Sequence, residues 1–134
     1  MADVIEVRLP PDHKYLPLLR AAVGVLAGIE LFNYDEIIQL RTAVVEAFNL
    51  ASRWPEQEGA SDNAEGVSMR FVVAANKLEI LVLNRPGSIG QIDVESEVES
   101  CAILESLMHE VRFGGGADNG PLITMTKYNH AGTI

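Results

Sequence analysis

The chain has 134 residues, 48% of them hydrophobic, which is enough for one domain with its own core and no need of disulfides or metals. Its single cysteine, Cys101, excludes an internal bridge, and no paired Cys/His spacing points to zinc, so the cytoplasm is the expected compartment. Nineteen acidic against ten basic residues leave a net charge of −9, which argues against nucleic acid and anionic membrane surfaces and suits a basic protein partner or plain solubility.

The first residues, Met1 to Glu6, lack the basic and apolar regions of a secretory signal. The most apolar stretch, Ala21 to Ile29, falls short of the roughly 20 residues a membrane helix needs. Val4 to Leu9, stopped by Pro10-Pro11, reads as an edge strand. From His13 to Phe32 the apolar residues Tyr15, Leu19, Val23, Leu26 and Ile29 recur at three or four and predict a first helix. Asn33 with Glu36 three residues later is a capping arrangement that starts a second helix, running to about Trp54. Apolar residues cover more than half of its circumference, so it is the expected central helix.

Pro55 to Gly66 is polar and reads as a surface loop. Val67 to Val73 alternates as a strand with one covered face, Asn76-Lys77 turns the chain, and Leu78 to Leu83 completes a hairpin. Ser96 with Glu99 predicts the start of a third helix, whose apolar stripe is Cys101, Leu104, Leu107/Met108 and Val111. Gly114 to Gly120 has the glycines of a phosphate cradle, but the next segment, Leu122 to Thr126, reads as a strand rather than a helix, so a hairpin turn is expected there. The sum is a single α+β domain over residues 1–134, a two-layer sandwich with helices on one face of a mixed, mostly antiparallel sheet.

Asn33-Tyr34-Asp35-Glu36-Ile37, Leu40 and Ala43-Val44-Val45-Glu46-Ala47 resemble the second helix of the bacterial anti-sigma factor serine-protein kinases, members of the GHKL group with the histidine kinase-like ATPase fold. Arg20, Leu107-Met108-His109-Glu110-Val111 and Met125-Thr126-Lys127-Tyr128 resemble the same family in order and spacing, so nearly the whole chain is covered. The resemblance implies three helices on one face of a sheet and an ATP site between the second and third. It also implies two activities: sequestering a sigma factor, and phosphorylating a serine on a small STAS-type antagonist with ATP and magnesium. A homodimer is implied as well, and Arg20 matches a family position that contacts the protein partner.

The site residues depart from the family pattern. Glu46 matches the family's catalytic base, but Leu50 stands at the magnesium-binding asparagine. Asn49 is one residue early, about 100° around the helix. Asn84 and Pro86 replace the adenine-binding Asp and its glycine, and the acidic run Asp93 to Glu99 replaces the glycine-rich phosphate loop. Two functions fit this pattern. One is a partner-switching regulator that binds proteins through Arg20 and needs no cofactor or metal, leaving Glu46 a solvated acid. The other is an active serine-protein kinase in which Glu46 is the base, Asn49 reaches magnesium and Asn84 meets adenine. His13, His109 and His130 are read as surface residues and Cys101 as a buried, inert thiol.

Overall fold

The computed structural model describes residues 2–57, 66–83, 94–114 and 121–131, with the side chains of 53–57 excepted. Its elements run β1 (Asp3–Leu9), α1 (Leu16–Ile29), α2 (Tyr34–Gln57), β2 (Val67–Ala74), β3 (Lys77–Leu83), α3 (Val98–Leu107), β4 (Glu110–Phe113) and β5 (Pro121–Tyr128). The strands form one sheet in the order β1-β2-β3-β5-β4, and every described pairing is antiparallel. β1 is an edge strand, and Pro10-Pro11 follow directly on its end.

Register explains which face is covered. Met69 lies opposite Val82 and Val82 opposite Ile123, while Phe71 faces Ile80 and Ile80 faces Met125. All six are buried against the helices. The intervening residues on the other face are partly exposed, and there Arg70 pairs with Glu6 at 3.2 Å. α2 packs between α1 and α3 and lies over β2, β3 and β5, so it is the central helix. Leu40, Val44, Ala47, Phe48 and Ala51 form its inner face.

The start of α2 is a reciprocal capping box. Asn33 N–H donates to Glu36 Oε1 at 2.7 Å, and Glu36 N–H donates to Asn33 Oδ1 at 2.9 Å. The helix extends to Gln57, beyond the stop expected at Trp54, and takes Pro55 into its last turn. Residues 58–65 of the expected loop lie outside the described residues.

Four expectations are corrected. Ile29 is exposed and Ala27 is buried instead, because two successive steps of three residues from Val23 drift about 120° off the core face. The β2–β3 turn is Ala75-Asn76, with Asn76 at φ 60°, and Lys77 already pairs with Ala74. α3 does not begin directly after Ser96. Its N-cap is Glu97, which makes no side-chain cap bond, and the helix begins at Val98. Finally, the third-helix stripe does not continue to Val111. The chain turns extended at Met108, and His109 N–H donates to Thr126 O at 3.0 Å, so pairing with β5 takes over the backbone. β4 and β5 pair antiparallel as the expected hairpin, although residues 115–120 between them lie outside the described residues.

Candidate functional site

Glu46, Asn49 and Leu50 share two turns of α2 but meet different surroundings. Leu50 is 1% exposed and belongs to the hydrocarbon core, so the position of the family's amide holds no lone pair that a cation could use. Glu46 is half-buried. Asn49 is also half-buried, and its Oδ1 is fully enclosed with no hydrogen-bond partner among the described residues. Such an orphaned acceptor costs about 1–3 kcal/mol, so it is a feature that needs a cause. Asn84, Pro86 and Asp93 lie outside the described residues.

The N-terminus of α3 is the other element to which the family resemblance assigns the site. A triphosphate would be met there by free N–H groups and the positive helix end. The first turn carries Glu99 after Glu97, and Val94 and Val98 are exposed beside them. These carboxylates oppose an anionic ligand at short range. Beneath them Cys101 is buried, and burial together with the charges of Glu105 and Glu97 pushes its thiol up, so it stays protonated. Among the described residues no cluster of three or more His, Cys, Asp or Glu could hold a metal. Leu50 in the core and acids at the α3 terminus do not fit a magnesium nucleotide held in the family's manner.

On the opposite flank of α2, Arg20 is exposed on α1, off the core face of Leu19, Val23 and Ala27. It makes no ion pair among the described residues.

No protein-family model matches the chain. Serine-protein kinase RsbW of Bacillus licheniformis is 29% identical over 95% of this chain and 86% of the relative's length. RsbW of Bacillus subtilis gives the same figures, and RsbW of Staphylococcus aureus is 26% identical over 94% of the chain and 87% of the relative. The chain resembles the RsbW serine-protein kinases along nearly its whole length. The α+β sandwich, with its open antiparallel sheet and three helices, agrees with the fold that this family resemblance implies.

A further polar group lies where the RsbW-like segments at Leu107 to Val111 and Met125 to Tyr128 meet the start of α2. Lys127 is only 5% exposed on the helix side of β5, and its Nζ donates to Leu107 O at 2.6 Å. Burial pushes its ammonium down, against the favourable charge of Glu36. Tyr128 N–H donates to His109 Nδ1 at 3.1 Å, which places the ring proton on Nε2. Partial burial and then Lys127 push His109 down, against Glu36 and Glu110. His130 Nδ1 lies 3.4 Å from Glu36 Oε1, and buried Asn129 donates from Nδ2 to Glu30 O at 2.6 Å and to Asn76 Oδ1 at 3.0 Å. The three histidines are exposed, as read from the sequence, but His109 and His130 have partners that spacing did not reveal. This network ties β5 to the ends of α1 and α3 and to the β2–β3 turn. Among the described residues no helix is long and apolar enough to cross a membrane.

Proposed function

We propose that the chain is an anti-sigma-factor-like regulator that acts by binding proteins and switching between partners, without ATP chemistry. Similarity to serine-protein kinases over almost the whole chain supports the class, with a sigma factor and a STAS-type antagonist as the partners. The observation that carries the loss of chemistry is Leu50, sealed in the core where the resemblance calls for a magnesium-binding amide. Exposed Arg20 supports a protein-binding face on α1. Glu46 is then a helix acid with no proton to take.

One observation favours a second reading, an active serine-protein kinase with a divergent pocket. The enclosed Oδ1 of Asn49 has no partner among the described residues, one turn from Glu46, as an acceptor awaiting a cation or a donor would. Calorimetric titration with ATP and magnesium separates the two. The regulator gives no binding heat at millimolar nucleotide, whereas a micromolar dissociation constant establishes the kinase reading and removes the proposal.

A further inference from the structure

The turn between α1 and α2 holds an expensive leucine. Leu31 has φ 59°, in the left-handed region that glycine or asparagine normally takes at a helix end. The closure itself is well formed, since Leu31 N–H donates to Gly28 O and Phe32 N–H to Ala27 O, both at 3.1 Å. The side chain is 74% exposed, so within this chain it recovers almost no burial for the strain. Tyr34 and Ile38 follow on α2 at 77% and 40% exposure, and Arg41 continues the same stripe at spacings of four and three.

Arg41 does not extend into solvent alone. Its guanidinium lies on α1 at Gly24, where a Cβ would stand 3.0 Å from Nη2 and 3.2 Å from Nε. Arg20 stands one helical turn before Gly24 on α1, so it belongs to the same edge of that helix. Two guanidiniums thus share one surface, and no hydrogen bond or ion pair holds either among the described residues. In a chain with nineteen acids, that juxtaposition is left open to a carboxylate from outside.

We infer that the edge between α1 and α2 is a docking surface for an acidic amphipathic helix of another protein. Its carboxylates would engage Arg20 and Arg41, and its apolar side chain would seat among Leu31, Tyr34 and Ile38. This rests on the reading of the chain as a protein-binding regulator and extends that reading from Arg20 to α2. Ile38 and Arg41 are about 4.5 Å apart along the axis of α2, and Gly24 lies about 7.5 Å along α1 from Ile29, the last residue before the turn that carries Leu31. The partner therefore carries its acid and its apolar anchor one to two helical turns apart on one face. Charge complementarity selects this occupant, because a second copy of the chain would bring a matching pair of arginines to the same place.

The test measures fluorescence anisotropy of a labelled amphipathic peptide of about 18 residues, with Glu and Leu one turn apart on one face, beside a counterpart with Lys for Glu. The intact chain binds the acidic peptide and not the lysine one. Arg41→Glu weakens binding by about tenfold or more with no change in melting temperature. Leu31→Gly also weakens it, yet raises the melting temperature by releasing the left-handed strain, a pair of opposite shifts that a purely structural role cannot give. Equal affinity for both peptides, unchanged binding by both variants, binding to anionic vesicles instead, or self-association that the variants abolish would each overturn the inference. Loss of a co-purified native partner with Arg20→Glu but not with Arg41→Glu or Leu31→Gly sinks this inference alone. Tight ATP binding sinks the regulator reading while leaving the peptide measurements intact.

Discussion

The two flanks of α2 have opposite characters. Toward α3, the position that the family resemblance assigns to a metal-binding amide is filled by Leu50 and sealed, and acids stand at the facing helix terminus. Toward α1, charged and apolar side chains stay in solvent, and one of them sits in a strained backbone conformation. A flank filled with hydrocarbon contributes to folding, whereas guanidiniums with no ion pair among the described residues and an exposed leucine are the features on which the proposed docking surface rests. On the function proposed above, one helix keeps a partner surface while the chemistry on its other side is lost.

The sharpest way to break this contrast is Leu50→Asn, which puts the amide back. Burying it in a closed apolar site should cost about 3 kcal/mol in urea unfolding and restore no ATP affinity. A stable variant that binds nucleotide would show the α3 flank to be one substitution from function. Next in size is Arg20→Glu, expected to cost the complex at least about 2 kcal/mol, more than tenfold in Kd, with the melting temperature unchanged. Equal recovery of the native partner by both proteins would remove Arg20 from the interface. Asn33→Ala tests the helix that both flanks share. Removing the cap should lower stability by about 1 kcal/mol, and a loss below a few tenths would mean that tertiary packing alone fixes the start of α2.

The smallest effect concerns the polar end. His109 is held below its ordinary value, so the neutral ring is the form the fold prefers. Its contribution is complete above the unfolded value of about 6.5 and is lost as pH falls from there through the depressed folded value. His109→Gln should flatten this part of the stability profile. An unchanged slope between wild type and variant would show that the Tyr128 N–H bond to the ring carries no pH dependence.

Much of the fold was legible because its signals are local. Alternation in Val67 to Val73, the helical spacing in α2 and the Asn33/Glu36 cap each lie within one element, where backbone geometry alone fixes which side chains share a face. The site was legible only as a pattern of departures: the sequence showed that Leu50 stands where the family resemblance expects an amide, but not that Asn49 ends with its Oδ1 enclosed and without a partner among the described residues. Arg41 and Leu31 were missed. A leucine between the end of one helix and the cap of the next, where glycine usually stands, was the available signal for the second.

The sequence by itself therefore determined the covered face of α2 and of the β2–β3 hairpin, the start of α2, the edge position of β1 and the acidic character of the α3 terminus. Only the tertiary structure decided that the third helix ends at Leu107, because β5 supplies the backbone partners that turn residues 110–113 into a strand. It also decided that Lys127 is buried under α3 and that Arg41 lies across α1. Each of these depends on a surface contributed by a distant part of the chain, and a contact of that kind leaves no periodicity in the residues that make it.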